Sequence, residues 1–205
     1  MRQIGLKGKG EPKRFVVTTD SNHHNPVADN LLDRRFGVSH PNRFWVADIT
    51  YIWSKAGWVY LAVVIDLFSR MVVGWAVSYR IDTALVCLAL EKAVAKRNPK
   101  AGLLLHSDRG VQYTCDSYRR LAQSFGMVQS MSRKGNCWDN AVAESFFRTL
   151  KVERVNGYLF ESIAEVNDVV GKFVDDYFNT RRFHSTLGHV SPADFESANQ
   201  LVAQQ

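Results

Sequence analysis

The chain has 205 residues, of which 46% are hydrophobic and 22% charged, as expected of a globular protein with one sizeable core. No apolar stretch approaches the length of a membrane span, and three widely spaced cysteines indicate neither a disulfide framework nor a zinc site. Lys plus Arg total 26 against 20 for Asp plus Glu, and the resulting charge of +6 suits a polyanionic partner without establishing one. We therefore expect a soluble, cytoplasmic protein with reduced thiols.

The first 42 residues differ in composition from the rest of the chain. They are rich in Gly, Lys, Asn, His and Pro, show little periodicity, and carry five basic residues near the start: Arg2, Lys7, Lys9, Lys13 and Arg14. Two interpretations are open, a mobile connector or a basic arm that follows a phosphate backbone. Residues 1–42 are therefore predicted to be a connector or arm that precedes the main domain.

Three β-branched and aromatic runs follow, over residues 44–53, 59–66 and 71–78. Short turns join them, so they predict three consecutive antiparallel strands. Residues 61–65 are almost continuously apolar, which indicates a strand covered on both faces.

Helices and strands then alternate. Asp82 caps a helix that ends at Asn98-Pro99, and short apolar runs at residues 102–106 and 127–131 predict a fourth and a fifth strand. Later helices are predicted around residues 118–125, from Asp139 or Asn140 onward, over 163–177, and after Ser191-Pro192. We expect an α/β fold, a mixed five-stranded sheet flanked by helices, with a core over residues 43–160 and a C-terminal helical extension over 161–205.

Three acidic residues stand out because of where they lie. Asp48 lies inside an apolar strand, Asp108 follows the fourth strand at a polar turn, and Glu144 lies on a helix after a glycine-punctuated loop. The 35 residues between Asp108 and Glu144 are enough to return this helix to the first strand. Burying acids is costly unless they are paired or bind a cation, so three acids on core elements suggest a metal site.

Each acid has a competing interpretation. Asp48 could pair with a nearby arginine, and Glu144 could be a surface acid paired with Arg148 at i+4. Asp66 also ends a strand, but it precedes Leu-Phe-Ser-Arg and suits turn chemistry better. Glu153 lies nine residues beyond Glu144, roughly 13 Å along a helix, so both cannot serve one ion.

Several segments together resemble the catalytic core of bacterial insertion-sequence transposases of the IS-three type, which have an integrase-like domain with two aspartates and a glutamate. The segments are WVADITYIW at residues 45–53, HSDRGVQY at 106–113, residues 132–151, and NTRRFHSTLGHVSPADF at 179–195. TTDSNHHNPVADNLLDRRF at 18–36 is similar to the connector before that core, so the resemblance covers nearly the whole chain.

The resemblance implies a ribonuclease-H-like fold and a DNA transposase that cleaves and transfers strands at the ends of its own element. It implies that Asp48, Asp108 and Glu144 are both the catalytic residues and the ligands of Mg²⁺ or Mn²⁺, with two ions. Hard oxygen ligands suit these ions. It also implies DNA as partner, a homo-oligomer on DNA, a separate or fused upstream helix-turn-helix polypeptide, and action at the bacterial nucleoid.

Basic residues near the three acids are the predicted DNA contacts. Arg148 and Lys151 share a helix face with Glu144 and could hold phosphates beside the metal site. Lys134 lies in the glycine-hinged loop, Arg109 flanks the second acid, and Arg182 lies in the C-terminal segment.

Two other functions compete with the transposase. One is a catalytically silent DNA-binding remnant, and the other is a host ribonuclease-H-like nuclease that cuts RNA–DNA hybrids. The long resemblance outside the three acids argues against the second.

Overall fold

The computed structural model describes residues 23–133 and 137–202, with the backbone alone for residues 137, 138 and 200–202. The described strands are β1 (Phe44–Ser54), β2 (Gly57–Asp66), β3 (Val72–Ser78), β4 (Leu104–Ser107) and β5 (Val128–Met131). The described α-helices are α1 (Thr83–Arg97), α2 (Val111–Thr114), α3 (Asp116–Ser124), α4 (Ala141–Leu150), α5 (Ile163–Gly171) and α6 (Pro192–Val202). Short 3₁₀ turns cover Cys137–Asn140 and Ser185–Leu187, and π-helical segments cover Lys151–Val155 and Lys172–Phe178.

The strands form one mixed sheet in the order β3-β2-β1-β4-β5. β1, β2 and β3 pair antiparallel as a meander, whereas β4 lies parallel to β1 and β5 lies parallel to β4. The predicted mixed five-stranded α/β fold is therefore confirmed. Because β4 pairs with only the first three residues of β1, the rest of β1 runs on past the end of β4.

Apolar side chains cover both faces of the sheet. Trp45, Ala47 and Ile49 of β1 pack with α1 and α3 on one face, while Val46 and Ile52 pack with α4 and α5 on the other. β2 contributes to both clusters, as its apolar run predicts. By alternation along β1, Asp48 is directed to the same face as Val46, toward α4.

The helix ends mostly follow their predicted signals. Asp82 Oδ1 accepts a hydrogen bond from Leu85 N at 3.2 Å, and α1 ends where Asn98 adopts a left-handed conformation. The long helix predicted over 163–177 is α-helical only as far as Gly171. It then continues as the π-helical segment Lys172–Phe178. That wider turn keeps Phe173, Val174 and Phe178 buried in the core.

The connector packs on the domain as far as the structure describes it. Leu32 is fully buried, and the backbone N–H groups of Leu31 and Leu32 donate to Ser130 Oγ at 2.9 and 3.2 Å. The five N-terminal basic residues lie outside the described residues, so the three-part division of the chain stays a prediction. No helix in the described ranges has the length and apolar character to cross a bilayer.

Candidate active site

Two of the predicted acids lie on neighbouring parallel strands, Asp48 in the middle of β1 and Asp108 directly after the end of β4. β1 and β4 pair in a constant register that sets Val46 beside His106. Carried two residues further, this register would set Asp48 level with Asp108, and the charge of Asp108 does raise the pKa of Asp48. Each carboxylate is also held by a local backbone donor, since Ile49 N donates to Asp48 at 2.7 Å and Gly110 N donates to Asp108 at 2.9 Å.

The third acid reaches this point on α4. Ala143, Phe146, Phe147 and Leu150 anchor α4 in the core, and Glu144 is exposed on the opposite side. Asn140, at the start of the helix, donates from Nδ2 to the Ala47 carbonyl of β1 at 3.3 Å. Glu144 lies one helical turn after Asn140, so this bond turns Glu144 toward the end of β1.

The pKa of Asp48 responds to the charges of both other predicted acids. Burial raises the pKa of Asp48 well above its ordinary value, and the negative charges of Asp108 and Glu144 raise it further. Burial also raises the pKa of Glu144. The phenol of Tyr113 lies close by, because its pKa is raised first by burial and also by the charges of Asp48 and Asp108.

The side chains around the acids are mostly uncharged. His106 is buried, its ring nitrogens lie 2.9 and 3.1 Å from Ser130 Oγ and Ser132 Oγ, and burial lowers its pKa to about 4. Asn140 Oδ1 is buried and has no hydrogen-bond partner among the described residues. Within residues 23–133 and 137–202, no three His, Cys, Asp or Glu side chains converge closely enough to form a complete ion cage.

The residues predicted to contact DNA differ in exposure and in their partners. Arg148 is exposed on α4, next to Glu144. Lys151 is half-buried with Nζ 4.3 Å from the centre of the Tyr51 ring, and burial lowers its pKa. Arg109 donates from Nε to the Ser132 carbonyl at 2.6 Å, and Arg182 forms an ion pair with Glu153 at 3.1 Å. Lys134 lies outside the described residues.

The two competing acids have structural partners instead. Asp66 accepts from Phe68 N at 3.0 Å and from Asn42 N at 2.8 Å, which is the turn chemistry that the sequence indicates. It also pairs with Arg97 at 3.3 Å. Glu153 lies beyond the end of α4 and pairs with Arg182. Neither acid is among the charges that shift the pKa of Asp48.

Asp139 has a role that sequence reasoning missed, since it was predicted only as a possible helix cap. Its side chain is fully buried and accepts from Arg34 Nε at 2.9 Å, Asn30 Nδ2 at 2.9 Å and two atoms of the Arg133 guanidinium at 2.9 and 3.0 Å. Asn140 occupies the cap position, but its side chain makes no cap hydrogen bond because its amide bonds to β1. Arg34 and Asp139 are 105 residues apart, so no local pattern could predict this cluster.

Comparison with known proteins identifies the family. Residues 38–137 and 126–192 each match a family described as "Integrase core domain". The chain is 43% identical over 203 residues to the insertion element IS600 uncharacterized 31 kDa protein of Shigella sonnei, covering 98% of this chain and 74% of that protein. It is 41% identical to the transposase for insertion sequence element IS904 of Lactococcus lactis, covering 97% of this chain and 78% of the relative. It is also 41% identical to the transposase InsF for insertion sequence IS3A of Escherichia coli, covering 97% and 69%.

Solved structures show the same fold at low sequence identity. The catalytic core domain of BIV integrase superimposes with a TM-score of 0.54 at 17% identity, covering 80% of this chain and 99% of that chain. The HTLV-2 integrase catalytic core domain, solved in complex with magnesium, superimposes with a TM-score of 0.56 at 15% identity, covering 78% and 99%. The sheet is therefore that of the retroviral integrase cores, and the predicted ribonuclease-H-like fold is confirmed. The chain belongs to the integrase core family and is a transposase of the bacterial insertion-sequence type.

Proposed function

We propose that Asp48, Asp108 and Glu144 together bind divalent cations, and that the chain uses them to cut and join DNA strands at the ends of an insertion element. The observation that supports this proposal is the register of β1 and β4, which pairs Val46 with His106, each two residues before an acid, together with the Asn140 bond that joins the start of α4 to β1. The effect of both neighbouring charges on the pKa of Asp48 supports the same grouping.

The donor chemistry fits Mg²⁺ or Mn²⁺. Carboxylate oxygens are the hard ligands that these ions prefer, and the Asn140 amide beside Asp48 hydrogen-bonds to that carboxylate and favours its charged form. When bound, a pair of such ions stabilises the attacking and the leaving oxygen of an in-line phosphoryl displacement. The HTLV-2 integrase core, which shares this fold, was solved in complex with magnesium.

The protein's own contribution is to hold and orient the three acids. The strand ends fix Asp48 and Asp108, and the Asn140 bond to Ala47 fixes the distance of α4 from β1. Buried Tyr113 and His106 exclude water from the inner side of the acids. In this proposal no side chain forms a covalent bond to DNA, because the attacking group is a water molecule or a DNA 3′-hydroxyl.

We propose that Arg148 and Lys151 hold the phosphates nearest the acids, with Lys134, Arg109 and Arg182 contacting DNA further out. The ring of Tyr51 orients the Lys151 ammonium group and keeps it from rotating freely. The relatives named as transposases come from bacteria, which supports action in the cytoplasm at the nucleoid. We also propose that the chain acts as a homo-oligomer on DNA and that an upstream helix-turn-helix polypeptide, separate or fused, recognises the element ends.

The test is metal-dependent nicking of labelled DNA by the purified protein and three variants. Asp48→Asn, Asp108→Asn and Glu144→Gln should each abolish nicking in Mn²⁺, because each removes an ionic ligand. Asp168→Asn is the matched control, since Asp168 is an exposed acid on α5 that pairs with Lys172, and it should retain full activity. Substantial nicking by any one of the three variants would refute the assignment.

A second readout separates metal binding from activity. Mn²⁺ should raise the melting temperature of the parent protein and of Asp168→Asn, because a ligand that binds only the native state stabilises it. The same addition should leave the melting temperature of Asp48→Asn unchanged. A protein that binds DNA without nicking it, and that Mn²⁺ does not stabilise, would instead be a silent remnant.

A further inference from the structure

A cavity lies on the flank of α4, next to the face that carries Glu144 and Arg148. Its volume is about 390 Å³, within the range of small-ligand sites. Val142, Ser145 and Thr149 of α4 form one wall, and the C-terminal segment around Arg182 and His184 forms another. The site residues assigned above include only Arg182 from this lining.

The interior of the cavity is mostly apolar and aromatic. Phe36 of the connector, Phe146 of α4 and Phe178 of the π-helical segment contribute to it, together with Ile65 of β2. Phe146 and Phe178 meet edge to face with ring centres 4.8 Å apart. An apolar lining with a few polar groups is typical of a small-ligand site.

Two polar atoms at this cavity have no partner in the described part of the chain. They are Arg70 Nη1 and His184 Nε2, both buried. The other terminal nitrogen of Arg70 donates to the Phe36 carbonyl at 2.9 Å, which fixes the guanidinium in place. Buried polar groups are normally paired, so an unpaired donor and an unpaired nitrogen at one cavity point to a polar ligand.

The two atoms offer complementary hydrogen-bonding roles. Burial lowers the pKa of His184 to about 4, and the charge of Arg182 lowers it further, so the ring is neutral at pH 7. The ring bonds to the backbone of Phe178, and Nε2 is the unpaired nitrogen, so the proton lies on Nδ1 and Nε2 is an acceptor. Arg70 Nη1 is a donor. Every nucleobase presents a neighbouring donor and acceptor on its Watson–Crick edge.

The rim of the cavity has the features of a single-strand binding surface. Phe183 lies between two lining residues, Arg182 and His184, and 69% of its surface is exposed. Exposed aromatic rings among basic residues bind unpaired bases by stacking. Ser145 of the cavity wall directly follows Glu144, so the cavity opens beside the helix that carries the third acid.

We propose that this cavity accepts one unpaired DNA base beside the catalytic helix, with Phe183 stacking on the adjacent base. The proposal rests on the proposed function, because it assumes that a DNA strand lies along α4. It assigns the C-terminal segment to recognition of a melted or frayed strand, in addition to any phosphate contact of Arg182.

The test compares binding of a single strand of about 15 nucleotides with binding of a blunt duplex of the same sequence. His184→Phe removes the acceptor but keeps the ring that packs on Phe178, and Thr186→Phe fills the cavity from its exposed edge. Ser185→Phe is the matched control, since Ser185 is the exposed neighbour of Thr186 and does not line the cavity. Melting temperatures show that each variant is folded.

We expect His184→Phe and Thr186→Phe each to weaken single-strand binding about tenfold, the loss expected for one stacked base. Duplex binding and the Ser185→Phe variant should stay at the parent level. A 2-aminopurine placed in the single strand should change fluorescence on binding to the parent, and this change should be lost in His184→Phe. Equal single-strand affinity of all variants, with duplex binding intact, would overturn the cavity proposal alone. Failure of the parent to bind either DNA would overturn the proposed function on which it rests.

Discussion

Three aspartates with little or no exposed surface, Asp48, Asp66 and Asp139, have different roles because their surroundings differ. Arginines hold the pKa of Asp139 below its ordinary value, whereas burial raises the pKa of Asp66 and its ion pair with Arg97 offsets that effect only in part. Asp48 meets two further acids, so burial and repulsion both act against its charge. An acid that its neighbours destabilise in this way is typical of a functional site, whereas the two arginine-paired acids are structural.

Asp139→Asn tests the structural role at the level of one residue. The arginines around Asp139, chiefly Arg133, hold its pKa well below the ordinary value, so the native state binds fewer protons than the unfolded state. The stability that Asp139 provides is present above the unfolded pKa, near 4, and is lost as the pH falls through the native pKa. We expect Asp139→Asn to lower the free energy of unfolding by about 1–3 kcal/mol at pH 7, measured by urea denaturation.

The same comparison at low pH provides the control. As the pH falls from the unfolded pKa near 4 toward the lower native pKa, the unfolded parent binds a proton that the native state excludes, so the difference in stability should shrink. Asp168→Asn, which alters an exposed ion pair with Lys172, should change the stability little at any pH. The difference in free energy of unfolding between the parent and Asp139→Asn could instead stay constant from pH 7 down into the acid range. That result would show that the charge of Asp139 is not what stabilises the protein.

At the level of elements, hydrophobic periodicity predicted the strands and helices whose positions the local sequence determines. The three meander strands, both shorter strands and α1 with its Asp82 cap are present close to the predicted bounds. The two π-helical segments could not be predicted, because an apolar period cannot distinguish an α-helical from a slightly wider turn. The cavity beside α4 and the unpaired atoms of Arg70 and His184 were equally invisible, since they depend on distant parts of the chain.

Part of the candidate site could likewise be predicted from the sequence, and part required the structure. Asp48 and Asp108 could be selected from the sequence, because an acid in an apolar strand or beside one is unusual in itself. The resemblance to transposases added the specificity that spacing alone lacks. The contact of Lys151 with Tyr51 and the bond from Asn140 to Ala47 required the structure, because they join elements about 100 or 93 residues apart.

The C-terminal helix α6 is joined to the sheet by a second buried ionic cluster. Arg97 at the end of α1 pairs with Glu196 of α6 at 2.7 Å and with Asp66 at the end of β2 at 3.3 Å. All three side chains are largely or fully buried. Removing the guanidinium group would therefore leave two buried acids with no positive charge to pair with them. We expect Arg97→Met to lower the free energy of unfolding by about 3–5 kcal/mol, measured by urea denaturation.

Arg80→Met is the matched control for this element-level prediction. Arg80 pairs with Asp82 at 3.3 Å, but its side chain is 83% exposed, so the loss should be under about 1 kcal/mol. Equal losses in the two variants would show that α6 does not depend on the buried cluster. A double variant that also carries Glu196→Gln should recover part of the loss, because it removes one of the two unpaired acids.

At the scale of the whole molecule, the positive charge is useful only where it faces DNA. The net charge of +6 attracts a polyanion from any direction, but Arg148 and Lys151 alone share the α4 face with Glu144 among the residues of that helix and its first following turn. Arg119 and Arg120 of α3 carry the same two charges elsewhere and pair with Asp116. This contrast separates local phosphate contact from overall attraction.

The double variant Arg148→Ala, Lys151→Ala should therefore weaken duplex binding and reduce the salt dependence of that binding. Each lost phosphate contact lowers the slope of log affinity against log salt by about 0.9, so two contacts should be visible in a salt titration. The Arg119→Ala, Arg120→Ala variant has the same net charge as the first, and it should keep nearly the parent slope. If both double variants shift the slope equally, DNA responds only to total charge and the α4 face is not the interface. If only the α4 variant shifts it, the basic face beside the three acids is where DNA lies.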